Sequence, residues 1–222
     1  MATRWRFPFA KAVPSDDALA QWVTGLGLGL NDLVHSHKRL FEGLAGDEPT
    51  VVEIGYDARL TGSHVWEVSV LLRAGTSNPD LSDFLAGLPA SVRADLDAAV
   101  AIFDDPEKAA FRGALGRARD HFFHYPEPGR KELRRALAAF GRDGHDGELW
   151  LDSDLRNARA RWADDVAAQL FVRAEGDDDT AIREFTQELG DFARLQMHLL
   201  VDLIKEYFSA LPDGVVAQVA DR

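Results

Sequence analysis

Apolar residues recur at steps of three and four along most of this chain, and that spacing is the period of an α-helix with one buried face. The first long run contains Leu19, Trp22, Val23, Leu26, Leu30, Leu33, Val34, Leu40, Phe41 and Leu44. The last long run extends from Ile182 to Tyr207 and ends before Pro212. Strand character is limited to the short segment 148–151. The pattern predicts an all-α fold, a single-domain helical bundle of about six to eight helices with at most one short strand or hairpin.

Local signals place the ends of the expected helices. Ser15, followed by Asp16 and Asp17, is a favourable start for the first long helix. Residues 1–14 form an expected N-terminal arm, and residues 15–222 form the bundle domain. After a loop at residues 46–52, we expect helices over residues 57–74, 81–86, 90–103, 107–124, 131–140, 161–172 and from 182 to near 212.

Three glycines interrupt the first long helix. Gly25, Gly27 and Gly29 each disfavour a helix by about 1 kcal/mol relative to alanine. Their presence indicates either a close crossing with another helix or a flexible point.

The composition limits the classes of function. The chain has 37 acidic and 25 basic residues, a formal net charge of −12, which opposes a broad nucleic-acid-binding surface but leaves room for a local phosphate site. It has no cysteine, which excludes disulfides, thiolate zinc sites and a cysteine nucleophile. No apolar run approaches the ~20 residues of a transmembrane helix, and residues 1–14 lack the apolar segment of a secretory signal. We therefore expect a cytoplasmic protein that does not contact a membrane.

Residues 117–126 concentrate side chains that bind phosphate or transfer protons. The set consists of Arg117, Arg119, Asp120, His121, His124 and Tyr125. Pro126 disfavours the helical conformation at Tyr125, so the helix is expected to end at this cluster. The Arg119-x4-His124 spacing, with a polar residue directly after the arginine, resembles the R-x4-H signature of the HEPN superfamily. These all-helical proteins include metal-independent ribonucleases of toxin and anti-phage systems.

The resemblance implies a metal-independent endoribonuclease with a toxin or defence role and without a cofactor or metal site. Arg119 would stabilise the phosphate and His124 would transfer protons, because a guanidinium binds phosphate oxygens and an imidazole titrates near neutral pH. Asp120 and Tyr125 would be supporting groups. HEPN ribonucleases place the site in a cleft between two protomers, so the resemblance also implies a homodimer, an RNA substrate and a protein antitoxin as partner.

A second segment extends the resemblance. Residues 56–67 are similar to the helix that faces the R-x4-H helix in HEPN-like proteins. By this similarity the cleft would be lined by His64, Glu67, His121 and Arg117. Arg59 and His64 repeat the R-x4-H spacing, so the spacing alone is a weak signal.

Helical geometry sets a condition on such a site. Arg119 and His124 lie roughly 140° apart around a regular helix, whereas Asp120 and His124 share a face. The stripe expected to face the core contains Phe111, Leu115, Ala118 and Phe122. Asp120 and His124 point away from this stripe, so a working site requires a second packed surface or a distorted last turn.

Other interpretations remain open. Arg119 and Asp120 are equally compatible with a solvated helix face, in which case the chain is a non-enzymatic helical interaction protein whose acidic surface recruits a partner. A bundle metalloprotein that uses His64 and Glu67 is less favoured, because the order is the reverse of the Glu-x-x-His motif of carboxylate-bridged metal sites. The sequence lacks the P-loop motif G-x-x-x-x-G-K, the dinucleotide-binding motif G-x-G-x-x-G and the nucleophile-elbow motif G-x-S-x-G of α/β-hydrolases.

Overall fold

A computed structural model describes residues 4–44, 51–123, 137–138, 179–212, 215 and 217–219, and within these ranges the chain is almost entirely helical. In these described ranges the seven α-helices are α1 (Phe9–Ala12), α2 (Ala18–Leu44), α3 (Val51–Thr76), α4 (Ser82–Gly87), α5 (Ala90–Ala101), α6 (Ala109–Phe123) and α7 (Asp179–Ala210). Single turns of 3₁₀ helix at Pro79–Leu81 and Pro106–Lys108 precede α4 and α6. The predicted all-α fold is confirmed.

Several predicted elements lie outside the described residues. They are the helices at residues 131–140 and 161–172, apart from positions 137 and 138, and the strand at residues 148–151. None of the helices in the part of the chain that the structure describes is long and apolar enough to cross a membrane.

Helix α2 begins two residues after the position that the sequence indicated. The Asp17 carboxylate accepts hydrogen bonds from the amides of Leu19 (2.8 Å) and Ala20 (3.2 Å), so Asp17 is the capping residue. Ser15 instead uses its carbonyl oxygen, which accepts a hydrogen bond of 2.6 Å from the side-chain Nε2 of Gln21. The cap of this helix is therefore the second of the two acidic residues and not the serine.

Helix α3 begins at Val51, six residues before the predicted start at Asp57. The β-branched residues Val51, Val52 and Ile54 and the helix-interior Gly55 weaken the helical signal of this stretch. Gly55 is buried in the structure. Tertiary packing at Gly55 offsets the weak helical signal of the sequence, which is why the predicted boundary came too late.

The described residues group into two compact units, and both draw on α2, α3 and α7. The first unit comprises Met1–Val34, Glu67–Asp105 and Arg194–Arg222, and the second comprises His35–Trp66 and Pro106–Ala193. The predicted division into an N-terminal arm and one bundle domain stays a prediction.

In the first unit, α2 and α3 approach each other closely where glycines replace side chains. A Cβ atom on Gly25 would lie 3.1 Å from Leu71, and one on Gly29 would lie 2.7 Å from Val68. The buried indole of Trp22 covers Gly75 and donates a hydrogen bond of 3.0 Å to the carbonyl of Leu71. Of the two explanations for the glycine run, a close helix crossing is therefore correct for Gly25 and Gly29.

The two ends of the chain meet in the first unit. Strand β1 (Arg4–Arg6) pairs antiparallel with strand β2 (Ala217–Val219). The rings of Phe7 and Phe208 are 4.6 Å apart, and the buried Tyr207 hydroxyl donates a hydrogen bond of 2.5 Å to the carbonyl of Ala12. The N-terminal segment is thus attached to the C-terminal part of α7.

In the second unit, α3, α6 and α7 share an apolar core. A Cβ atom on Gly62 would lie 3.0 Å from Ala118, 3.6 Å from Leu115 and 3.9 Å from Leu189. The ring of Phe111 contacts two rings of α7, those of Phe185 and Phe192, at 5.8 and 5.5 Å. Lys108 and Glu188 form an ion pair of 2.7 Å at the edge of this core.

The contact between Gly75 and Trp22 gives the first test. A methyl group at position 75 overlaps the indole ring, so Gly75→Ala should lower the free energy of unfolding by about 1–3 kcal/mol. Gly27→Ala is the matched control, because no described atom lies within 4 Å of its Cβ position. Gly27→Ala should raise the free energy of unfolding by about 0.5–1 kcal/mol, because alanine favours a helix more than glycine does. Urea denaturation measures both changes, and equal effects of the two substitutions would contradict the packing.

The Tyr207 hydroxyl gives the second test. Burial raises the pKa of Tyr207 above its usual range, and the nearby Asp17 carboxylate adds to the rise. The stabilisation from the neutral phenol is complete below the usual tyrosine pKa of about 10 and is lost as the pH rises through the elevated pKa. Tyr207→Phe should cost about 1–2 kcal/mol at neutral pH. The difference from wild type should shrink above pH ~10 in denaturation curves. A difference that does not change with pH would show that Tyr207 ionisation is not linked to folding.

Candidate functional site

Helix α6 presents one buried and one exposed side. Phe111, Leu115 and Ala118 are buried, which confirms three positions of the stripe that the sequence predicted to face the core. Asp120 is exposed. The segment therefore places the charged part of the R-x4-H motif on the side of a well-anchored helix that is open to solvent.

Arg119 lies at the border between these two sides. It follows the fully buried Leu115 by four residues, which places it about 40° around the helix from that core position. Its side chain is 42% exposed, and its Nη1 donates a hydrogen bond of 3.2 Å to Oδ1 of Asp120. The backbone of Arg119 is thus fixed by the adjacent Ala118, while its guanidinium reaches solvent.

The Asp120 carboxylate was expected to be a supporting group on the same helix face as His124. In the structure it contacts the guanidinium of the preceding Arg119. An exposed pair of this kind is worth about 1 kcal/mol or less, so a phosphate group would readily displace the carboxylate from the guanidinium. His121 belongs to the last turn of α6, whereas His124 and Tyr125 lie outside the described residues. Their roles stay predictions.

Arg117 lies just past the middle of α6. Its Nη1 atom is 3.3 Å from the position that a Cβ atom on Gly113 would occupy, so the guanidinium lies over the helix one turn earlier. Partial burial lowers the pKa of Arg117, although an arginine keeps its charge at neutral pH. The small side chain of Gly113 provides the space for this conformation.

Helix α3 packs directly against the buried side of α6. Gly62 lies against Ala118 and Leu115, and Trp66 approaches Gly116, where a Cβ atom would lie 3.9 Å from the indole. Gly62 and Trp66, both within residues 56–67, thus contact α6, while the resemblance of this segment to HEPN-like proteins stays a prediction. Because both contacts involve glycines, the backbones of α3 and α6 approach closely next to Arg119.

His64 and Glu67 lie on other sides of α3. His64 follows Gly62 by two residues, which places it about 200° around the helix from the line that contacts α6. Glu67 lies about 140° from that line and is exposed, whereas His64 is half-buried. Neither residue therefore lies on the side of α3 that contacts α6 at Gly62. Their place in a shared cleft stays a prediction.

A cluster of charged and aromatic side chains joins α2 and α3 in the second unit. The Arg39 Nε atom is 3.1 Å from Oδ1 of Asp57. The guanidinium carbons of Arg39 and Arg59 lie 5.7 and 5.8 Å from the centre of the Tyr56 ring. The sequence reasoning missed this cluster because Arg39 is 17 residues away from Tyr56 and meets it only through the packing of two helices. The available signal was the second R-x4-H match, which contains Arg59.

Neither a metal-ligand cluster among the described residues nor a similar known protein assigns a function to this site. Groups of three or more histidine, aspartate or glutamate side chains that could hold a metal ion are not found in the described ranges. Comparisons of the chain with protein-family models, with curated proteins and with solved structures found no match.

The partly exposed position of Arg119 leads to a stability prediction. Arg119→Ala should lower the free energy of unfolding by at most about 1 kcal/mol, because its pair with Asp120 is a surface pair. Ala118→Leu should lower it by about 1–3 kcal/mol, since Ala118 is fully buried against Gly62. Guanidinium denaturation compares the two variants. A loss for Arg119→Ala as large as that for Ala118→Leu would assign Arg119 to the core.

Proposed function

We propose that this protein is a HEPN-like, metal-independent endoribonuclease with a toxin or anti-phage defence role. One observation carries the proposal: the Arg119 guanidinium reaches solvent at the edge of a helix side that is anchored by the buried Leu115 and Ala118. The guanidinium pairs with the Asp120 carboxylate in a surface contact, which the phosphate of an external anion can replace. The resemblance of residues 119–124 to the R-x4-H motif selects RNA as that anion.

The proposed reaction is an internal transfer of the phosphodiester. The ribose 2′-oxygen loses its proton and bonds to the neighbouring phosphorus, and the bond from phosphorus to the 5′-oxygen breaks. His124 serves the proton transfers, and the 5′-oxygen leaves protonated. Arg119 stabilises the additional negative charge on the phosphate oxygens in the transition state. The products are a 2′,3′-cyclic phosphate and a 5′-hydroxyl, and neither a metal ion nor a cofactor enters the balance.

The proposal includes a homodimer. The offset of roughly 140° between positions 119 and 124 prevents one regular helix from presenting both side chains to one phosphate. A second protomer that faces the end of α6 supplies the opposing surface. An antitoxin protein that covers this surface would inhibit the enzyme.

Cleavage assays with single-stranded RNA in excess EDTA test the proposal. Wild type should cleave the RNA, and Arg119→Ala or His124→Ala should each reduce the rate by about 100-fold or more. His198→Ala and Arg93→Gln are matched controls, because these residues lie on α7 and α5 in the first unit. Both controls should cleave as wild type does.

Two results would decide against the ribonuclease. Intact RNA at high concentrations of folded wild-type protein would leave the non-enzymatic interaction protein as the interpretation. Activity that survives in His124→Ala would indicate a contaminating nuclease or a different site. In the first case, charge-neutralising substitutions of exposed acidic residues would test whether the acidic surface recruits a partner protein.

A further inference from the structure

The Arg39 guanidinium differs from an ordinary surface arginine in how it is held. Its Nε atom lies 3.1 Å from the Asp57 carboxylate, and that carboxylate is 12% exposed while the Arg39 side chain is 48% exposed. The Tyr56 ring lies 5.7 Å from its guanidinium carbon. One end of the side chain is therefore fixed against α3 while the other faces solvent.

Arg39 forms no hydrogen bond with another side chain among the residues that the structure describes, beyond the close approach of its Nε atom to Asp57. A guanidinium carries five N–H donors in a rigid planar fork that matches the oxygens of a phosphate. The terminal amino groups of Arg39 are thus available to a ligand from solution.

Arg59 supports this arrangement from within the protein. It is 7% exposed, its Nε–H group donates a hydrogen bond of 3.4 Å to the carbonyl of Gly55, and its guanidinium carbon lies 5.8 Å from the Tyr56 ring. Tyr56 consequently has a guanidinium near its ring from each of two helices. The side chains of Arg39, Arg59 and Asp57 together carry one net positive charge in a chain whose total is −12.

Position along α3 connects the cluster to α6. Tyr56 precedes Gly62 by six residues, which is about 9 Å along the helix axis. Gly62 contacts Ala118, the residue directly before Arg119. The second unit therefore holds both Arg39 and Arg119 on helices that pack on the same half of α3.

We propose that Arg39, oriented by Asp57 and Tyr56, binds a phosphate group of single-stranded RNA away from the bond that is cleaved. The proposal rests on the proposed ribonuclease function and adds a substrate-binding position to it. Arg39 contributes to affinity, whereas Arg119 and His124 act in the chemical step.

Binding of a fully 2′-O-methylated oligoribonucleotide measures this contribution without cleavage. In fluorescence anisotropy, Arg39→Gln should weaken binding roughly tenfold, the loss expected for one charge-assisted contact. The slope of log Kd against log salt concentration should fall by about 0.7, the value for one phosphate contact on a single strand. Arg39→Lys, which keeps the charge but not the planar fork, should lie between the two and guards against misfolding of the first variant.

Arg73→Gln is a closely matched control. Arg73 is also 48% exposed, pairs with Asp104 at 3.3 Å and lies 4.7 Å from the ring of Phe103, but it belongs to the first unit. This variant should bind as wild type does. Equal losses for Arg39→Gln and Arg73→Gln, or no binding by wild type, would overturn the proposal.

The same variants separate this proposal from the ribonuclease itself. In cleavage assays Arg39→Gln should raise KM and leave kcat unchanged, whereas His124→Ala should lower kcat and leave the affinity for the methylated strand unchanged. Specific loss of binding in Arg39→Gln without any cleavage by wild type would support the phosphate site and remove the ribonuclease. Cleavage by wild type together with normal binding by Arg39→Gln would support the ribonuclease and exclude the phosphate site at Arg39.

Discussion

Close approach of helix backbones at glycines on and around α3 is the constraint on which the described structure depends. In the first unit the Trp22 indole occupies the space above Gly75, and in the second unit Ala118 and Leu115 occupy the space beside Gly62. Side chains of ordinary size at either glycine would separate the helices. The contact at Gly62 also fixes the backbone of α6 at the residue before Arg119, so packing and the candidate site share one cause.

The acidic composition gives this local arrangement its significance. A net charge of −12 repels a polyanion at long range, so any contact with RNA has to come from a few well-oriented cations. Arg119 and Arg39 are each held by the protein at one point and are partly exposed at the guanidinium. The packing of α6 holds the backbone of Arg119, and the Asp57 carboxylate holds the Nε atom of Arg39. Arg59 and Arg117 are more buried and act within the protein, over Tyr56 and Gly113 respectively.

The sequence was informative where periodicity is strong and local. It predicted the all-α fold and the buried stripe of α6, because these follow from spacing within one helix. It placed the start of α3 too late, because the burial of Gly55 depends on tertiary packing, which helix propensities do not describe. The Arg39 cluster was missed for the same reason: two helices have to pack before Arg39 meets Tyr56 and Asp57. His64 is close to Gly62 in the sequence, but two residues correspond to a rotation of about 200° around the helix. His64 therefore lies away from the side of α3 that contacts α6.

The central functional claim is that the RNA's own 2′-hydroxyl attacks the phosphate, with Arg119 and His124 as the protein groups. Mass spectrometry of the fragments formed in excess EDTA tests this claim most directly, because the end groups record which oxygen attacked. The account predicts 2′,3′-cyclic phosphate and 5′-hydroxyl ends, and an intact strand wherever a 2′-deoxynucleotide replaces the ribonucleotide before the cleaved bond. Fragments with 5′-phosphate ends, or cleavage after a 2′-deoxynucleotide, would contradict it.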